Sequence, residues 1–168
     1  DEVTRNAIAD YLNKTYDTHF NPDNFYMTCG AAASLTITLN ALVSNPEDEV
    51  IAIAPFFPEY RVFATAAGAK FVVVSADTEK FQIKFDELES KINKNTKAII
   101  VNSPNNPSGA VYSEDTIKRL AALLEKKEKE YAEVIKLLIK KYPLRMVAKL
   151  TSTSLSTVQR VKKEFVDV

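Results

Sequence analysis

The sequence predicts an α/β fold with a parallel β-sheet, followed by a small all-α segment. Three continuous apolar runs of strand length lie at residues 50–54, 71–75 and 97–103, and none of them alternates between polar and apolar positions. Segments with helical periodicity separate the three runs. Strands that are apolar on both faces and alternate with helices are typical of a parallel sheet with helices on both sides.

Helices are predicted before, between and after these strands from the spacing of apolar residues. They cover residues 2–16, 31–42, 58–67, 85–92 and 113–131. The last of them begins at Ser113, whose hydroxyl suits an N-cap. Between the first two helices, residues 25–28 (FYMT) are predicted as a short strand that ends at Gly30.

The composition is that of an ordinary soluble globular protein, with 46% hydrophobic and 26% charged residues in a chain of 168. The single cysteine, Cys29, excludes an intramolecular disulfide framework, and the single histidine, His19, leaves no histidine partner for a metal site. The acidic start contains no secretory signal, and the uncharged residues 24–46 are better explained by a buried helix than by a membrane span. We therefore expect a cytoplasmic protein without membrane contact.

Charge divides the chain into two parts near Tyr131. Residues 1–131 carry 14 Lys and Arg against 19 Asp and Glu, a net charge of −5. Residues 132–168 carry 8 against 3, a net charge of +5. This asymmetry favours two domains with different partners, an α/β domain over residues 1–131 and a helical one over residues 132–168.

Three loops after predicted strands contain the candidate site residues, because ligands of parallel sheets bind outside the carboxyl ends of the strands. The loops are TCGAA (28–32), APFFPEY (54–60) and NSPNNPSG (102–109). In the first, Gly30, Ala31 and Ala32 open a helix whose free N–H groups suit a phosphate, although the same residues suit an ordinary strand–helix turn.

The other two loops present an aromatic ring and an amide. Phe57 is suited to stack on a planar ligand, although Phe56 and Phe57 are of a residue type that more often belongs to the core. In residues 102–109 two prolines restrict the backbone, and Asn106 is placed to donate a hydrogen bond to a hydroxyl or phenolate oxygen of a ligand.

In order and spacing, the segments TCGAAASL, DEVIAIAPFFPEY and NSPNNPSGAVYSED resemble the class I/II aminotransferases of fold type I, which use pyridoxal phosphate. The resemblance covers residues 1–131 and implies part of the three-layer, parallel-sheet large domain of that family. It also implies three roles in cofactor binding. Gly30, Ala31 and Ala32 would hold the phosphate, Phe57 would stack on the pyridine ring, and Asn106 would hydrogen-bond its phenolic oxygen.

The same resemblance implies an incomplete enzyme. The family continues with an aspartate that pairs with the pyridinium nitrogen, a Schiff-base lysine and a carboxylate-binding arginine, and no segment after Tyr131 matches their motifs. We therefore expect no transamination and weak or absent binding of pyridoxal phosphate. A sheet cut from a larger domain exposes an edge strand and apolar surface, which leads to the hypothesis of a homodimer through that surface.

The basic segment predicts a helix over residues 132–141 and then two short helices joined by a tight turn. Residues 145–161 (RMVAKLTSTSLSTVQRV) resemble the helix-turn-helix of serine recombinases and resolvases. The resemblance places Ala148 where the helices cross and Val158 and Val161 in the core, with Ser152 where glycine is usual.

This second resemblance implies DNA binding through six residues of the last helix. Those expected to face bases are Ser156, Thr157, Gln159 and Arg160, and those expected to contact phosphates are Lys162 and Lys163. Three classes of function therefore stay open: a partial pyridoxal phosphate enzyme, a DNA-binding protein, and a chimera or design scaffold without activity.

Overall fold

The chain divides into two units between Ala41 and Leu42. The computed structural model describes residues 1–165, and for Glu130, Arg160 and residues 163–165 it describes the main chain alone. The first unit contains α1 (Glu2–Tyr16), a short 3-10 helix (Pro22–Asn24) and most of α2 (Ala31–Leu42). Both α-helices predicted for this part of the sequence are thus confirmed.

Polar contacts hold the segment after α1 against that helix. Arg5 donates from Nη1 to the carbonyl oxygen of Pro22 at 2.9 Å. The Asn13 side chain donates to the Phe20 carbonyl oxygen and accepts from the Phe20 N–H, each at 2.8 Å. These bonds satisfy main-chain groups of Phe20 and Pro22 and fix the segment against α1.

The strand predicted at residues 25–28 is absent, and this prediction is wrong. The segment is irregular and the Tyr26 side chain is 93% exposed. A strand needs a neighbour that completes its main-chain hydrogen bonds. Within residues 1–165 no other strand pairs with this segment, so its β-forming residue types have no effect.

The second unit is built around a parallel sheet of three strands in the order β2-β1-β3. Its elements are β1 (Glu49–Ile53), α3 (Glu59–Ala66), β2 (Lys70–Val74), α4 (Phe85–Lys91), β3 (Thr96–Ile100), α5 (Glu114–Ile139), α6 (Leu144–Leu150) and α7 (Leu155–Phe165). In the register of the sheet, Ile51 of β1 lies between Val72 of β2 and Ile99 of β3. The predicted α/β class and the parallel sheet are confirmed.

One face of the sheet packs against α4 and α5. Ile51 and Ile53 of β1 and Val74 of β2 are buried in a cluster with Leu88 of α4 and Leu120 of α5. These side chains leave each strand at every second position, as the pleat of a strand requires. This cluster is the main core of the second unit.

The opposite face packs against α3. Val50 and Ala52 of β1 are fully buried although they point away from the main core. On the neighbouring strand β2, the centroid of the Phe71 ring lies 4.8 Å from the guanidinium carbon of Arg61 on α3. Both faces of β1 are therefore buried, which explains why its sequence shows no polar alternation.

A buried carboxylate organises the turn that leads into β1. Asp48 is 4% exposed, and its Oδ2 accepts hydrogen bonds from the N–H groups of Ser44 at 2.8 Å and Asn45 at 3.0 Å. Its Oδ1 lies 3.6 Å from Nζ of Lys97 on β3. Burial by itself raises the pKa of Asp48, but the two N–H donors and the Lys97 charge outweigh burial and hold the pKa below its usual value of 3.8.

Helix α5 runs without a break from Glu114 to Ile139. The predicted N-cap is confirmed, because Ser113 Oγ accepts a hydrogen bond from the Thr116 N–H at 3.1 Å. The sequence predicts separate helices on either side of Tyr131, and this is wrong, since neither Pro nor Gly interrupts residues 114–139. The proposed domain boundary at Tyr131 therefore falls inside a helix and stays a prediction.

The end of α5 packs with α6 and α7 around a second apolar cluster, here called the three-helix cluster. Its buried residues are Val134, Leu138, Val147, Val158 and Val161. The core positions predicted at Val158 and Val161 of α7 are thus confirmed, and Ala148 of α6 packs against this cluster. In the turn between these helices, Ser152 has a φ of 55°, a left-handed conformation that favours glycine.

None of the helices in residues 1–165 combines the length and the apolar character that crossing a membrane requires.

We expect Asp48→Ala to lower the free energy of unfolding by about 1–3 kcal/mol, because two main-chain N–H groups lose their buried acceptor. Urea unfolding followed by circular dichroism measures the change. The pKa of Asp48 is lower in the folded than in the unfolded chain. Its carboxylate therefore stabilises the fold above about pH 4, and this contribution is lost as the pH falls through the folded-state pKa.

Glu79→Ala is the matched control, since Glu79 is an exposed acidic residue of the same unit. We expect it to change the free energy of unfolding by less than about 0.5 kcal/mol. Equal effects of the two substitutions, or a difference between wild type and Asp48→Ala that persists far below pH 4, would contradict the role of this carboxylate.

Candidate functional site

The two loops with candidate residues in the second unit leave the sheet at the same edge. Residues 54–60 follow β1 and residues 101–113 follow β3, and these neighbouring strands are parallel. Their carboxyl ends therefore lie side by side, at the edge of the sheet where ligands of parallel sheets bind. The expectation that these two loops share one edge is met.

The loop after β3 is held in shape by one buried asparagine. Asn105 is 8% exposed, and its Oδ1 accepts hydrogen bonds from the N–H of Ser108 at 3.2 Å and from its hydroxyl at 2.8 Å. Its main chain donates to the Ala110 carbonyl oxygen at 2.8 Å and accepts from the Gly109 N–H at 2.7 Å. Gly109 has a φ of 71°, which a residue with a side chain rarely adopts.

Asn106, the predicted ligand residue, is presented by this loop. Its N–H donates to Asn102 Oδ1 at 2.9 Å, which fixes the main chain at that position. The side chain is exposed, and none of the side chains described in residues 1–165 hydrogen-bonds its amide. A rigid main chain thus carries an amide whose donors and acceptor are available to a ligand.

Asn105 is a positioning residue that the sequence motifs did not single out. Asn followed three and four residues later by Ser and Gly is consistent with a turn, because an Asn side chain hydrogen-bonds the main chain ahead of it. That signal was present in residues 105–109. Only the burial of the two side chains distinguishes Asn105 from Asn106, and the spacing in the sequence does not show that burial.

The two phenylalanines after β1 contact different residues. Phe56 packs edge-to-face on Phe71 with ring centroids 5.1 Å apart, on the sheet face that α3 covers. The Phe57 ring contacts Tyr60 edge-to-face at 5.7 Å. Both phenylalanines are half-buried, and stacking of Phe57 on a ligand stays a prediction. Burial raises the pKa of the Tyr60 phenol, which is therefore uncharged at neutral pH.

In the first unit, Gly30 begins the turn into α2. Its φ of 101° favours glycine, while a Cβ at this position would have open space around it. The Ser34 N–H donates to the Gly30 carbonyl oxygen at 3.1 Å, and the hydroxyls of Thr28 and Ser34 lie 2.6 Å apart. Ala31 and Ala32 are exposed in the first turn of α2, where N–H groups have no acceptor within the helix.

The residues predicted to contact DNA lie on α7, in the second unit. Ser156 and Gln159 are exposed, and Thr157 is half-buried with its N–H donating to Ser154 Oγ at 3.1 Å. Lys162 is half-buried. The side chains of Arg160 and Lys163 lie outside the part of the chain that the structure describes.

Comparison with known proteins identifies the family. A family model described as aminotransferase class I and II matches residues 2–129. The chain therefore belongs to the class I and II aminotransferase family, as the sequence analysis predicted, and the family implies pyridoxal phosphate as cofactor.

Individual relatives show how much of the family's length is present. A probable aspartate aminotransferase of Methanocaldococcus jannaschii is 36% identical over 121 residues, which are 72% of this chain and 32% of that protein. The crystal structure of an aminotransferase from Eubacterium rectale has 65% identity and a TM-score of 0.76, and covers 77% of this chain and 33% of that one. For an aspartate aminotransferase of Thermus thermophilus the identity is 30%, the TM-score 0.71, and the coverage 76% and 33%. The chain thus spans about a third of the length of these relatives.

We expect Asn105→Ala and Asn106→Ala to differ although the two residues are adjacent. Asn105→Ala removes a buried acceptor and should lower the free energy of unfolding by about 1–3 kcal/mol. Asn106→Ala removes an exposed amide and should change it by less than about 0.5 kcal/mol. Urea unfolding of both variants measures this, and a larger loss of stability from Asn106→Ala would contradict the assignment of the two side chains.

Proposed function

We propose that this chain binds pyridoxal phosphate through the turn of Gly30, Ala31 and Ala32, the ring of Phe57 and the side chain of Asn106. The observation that carries the proposal is the exposed amide of Asn106, which a rigid loop presents at the carboxyl edge of the sheet. A polar group held in place but not used by the protein itself is characteristic of a ligand site.

Two further observations support the fit to this cofactor. The Phe57 ring is half-buried and is held by an edge-to-face contact with Tyr60, and an aromatic ring with exposed surface suits stacking on a pyridine. The N–H groups at the start of α2 are exposed after Gly30, and the positive end of the helix dipole favours a phosphate there. These three groups match the three chemical parts of the cofactor: ring, phenolic oxygen and phosphate.

When bound, pyridoxal phosphate supplies an electron sink for chemistry at an amino-acid carbon. The residues named here bind and orient the cofactor, and none of them is suited to carry a proton between substrate and ring. Within the 168 residues no motif matches the family's lysine, aspartate or arginine. We therefore propose that these residues bind the cofactor without catalysing transamination.

Titration with pyridoxine 5′-phosphate tests the site. This analogue keeps the ring, the phenolic oxygen and the phosphate but has no aldehyde, so the surface lysines do not react with it. We expect saturable binding by isothermal titration calorimetry and an increase in Tm. Asn106→Ala should weaken binding by about three- to tenfold, since one hydrogen bond contributes about 0.5–1.5 kcal/mol.

Asn40→Ala is the control, because Asn40 is exposed at the opposite end of α2 from Gly30. It should bind the analogue as the wild type does. Absence of saturable binding, or an equal effect of the two substitutions, would contradict the proposed site. Formation of a keto acid from any amino acid by the 168-residue chain with pyridoxal phosphate would contradict the proposed lack of turnover.

A second function is supported by the three-helix cluster. We propose that α6 and α7 bind double-stranded DNA, with α7 in the major groove. Two observations favour this: the left-handed turn at Ser152 between two helices that share a core, and the exposed polar residues Ser156 and Gln159 in the first turns of α7. The net charge of +5 over residues 132–168 favours contact with phosphates.

Fluorescence anisotropy with a labelled DNA duplex tests this second function. The Kd should rise steeply with salt concentration, and Lys162→Ala should reduce the slope of log Kd against log salt by about one phosphate contact. Lys14→Ala, which removes the same charge from α1 in the first unit, should leave that slope unchanged. Binding that does not depend on salt, or equal effects of both substitutions, would contradict DNA recognition by α7. A folded chain that binds neither ligand would favour a scaffold without activity.

A further inference from the structure

Helix α6 carries two apolar side chains on a face that the three-helix cluster does not cover. Met146 is 47% exposed and Leu150 is 56% exposed. They are four residues apart, so they lie next to each other on one face of the helix. On another face of α6, Val147 is buried in the cluster and Ala148 packs against it. Packing within the three-helix cluster therefore does not explain the apolar character of Met146 and Leu150.

The chain that leads into α6 extends this apolar surface. Ile139, the last residue of α5, is 64% exposed, and Tyr142 in the turn before α6 is 41% exposed. These two residues and the pair on α6 are here called the α6 patch. Large apolar side chains that are exposed close to one another mark an interaction surface.

The residues around the α6 patch are basic. Arg145 and Lys149 are exposed and, being four residues apart, form a second row along α6. Lys140 and Lys141 precede the helix and are exposed as well. Residues 134–163 contain eight Lys and Arg and no Asp or Glu. This segment therefore presents only positive charge to a partner that covers the patch, which favours a negatively charged partner.

The geometry of this face favours a helix among the anionic partners. Met146 and Leu150 form a ridge with the spacing that packs between the side chains of a second helix. DNA would pair with the cations but leave the apolar row in water. Membrane binding scales with the apolar area that enters the bilayer, and the seven-residue α6, held on the cluster by Val147, would supply little of it.

We propose that the α6 patch binds an acidic amphipathic helix of another protein. Apolar side chains of that helix contact Met146 and Leu150, and its carboxylates contact Arg145 and Lys149. Neither proposed function uses the patch, because the residues proposed for the cofactor and for DNA contact lie on other elements. Loss of cofactor or DNA binding with helix binding intact would overturn those proposals alone, and the reverse result would overturn this one alone.

A synthetic acidic helix tests the patch. The probe is a fluorescein-labelled amphipathic peptide of about 16 residues, with Leu at every third or fourth position and Glu on both flanks. A second peptide has Lys in place of each Glu and the same apolar residues. We expect fluorescence anisotropy to show saturable binding of the Glu peptide by the full chain, and binding of the Lys peptide that is at least about tenfold weaker. Absence of saturable binding, or equal binding of the two peptides, would overturn the proposal.

Leu150→Lys distinguishes docking on the patch from attraction by charge alone. It adds a positive charge and removes an apolar contact, so docking predicts binding that is about tenfold weaker, whereas charge alone predicts stronger binding. Met146→Lys should have the same effect. Ile117→Lys is the matched control, because Ile117 is 42% exposed on the first half of α5 and lies outside the patch. It should not weaken binding, and circular dichroism verifies that each variant folds.

Other occupants of the patch give different results. Vesicles of phosphatidylcholine and phosphatidylglycerol that bind the chain more tightly than the Glu peptide does, and that Leu150→Lys releases, would identify a membrane surface. A homodimer in analytical ultracentrifugation that Leu150→Lys dissociates would identify a second copy. Either result would overturn the proposal, as would binding of the Glu peptide that Leu150→Lys leaves unchanged or strengthens.

Discussion

Strand β1 is hydrogen-bonded along both edges, and its side chains are buried on both faces. Because water does not reach its main chain, each N–H and C=O group needs a partner on a neighbouring strand, and each side chain needs apolar neighbours. The parallel neighbours β2 and β3 meet the first requirement, and the buried side chains around β1 meet the second. The site residues of the second unit follow from this arrangement, since Phe57 comes after the end of β1 and Asn106 after the end of β3.

Two adjacent asparagines in the loop after β3 have different roles. Asn105 is buried and uses its side chain on the loop itself, whereas Asn106 is exposed and keeps its side chain available. A ligand that meets a group already fixed by the protein loses less conformational entropy on binding than one that must order a mobile loop. The candidate site therefore depends on Asn105, which fixes the loop, as well as on the amide of Asn106.

Helix α5 joins two apolar clusters within the second unit. Leu120 near its start belongs to the core beneath the sheet, and Leu138 near its end belongs to the three-helix cluster. The family match ends between them, at residue 129, yet the helix shows no interruption there. Helix formation depends on local sequence, and the residues around Tyr131 are good helix formers whichever cluster they pack against. A change in charge along a sequence therefore need not coincide with a structural break.

Local patterns in the sequence were sufficient for the three strands of the sheet, for the helices before Tyr131, for the N-cap at Ser113 and for the family. Continuous apolar runs, helical spacing and capping hydroxyls act within a few residues of each other. Other features were decided by contacts between distant segments. Residues 25–28 have strand-forming residue types but no partner strand, and Phe56 rather than Phe57 packs on Phe71. The position of β3 at the edge of the sheet in residues 1–165 is also such a feature. A strand is completed by main-chain hydrogen bonds to another part of the chain, so only the tertiary structure determines where a sheet ends.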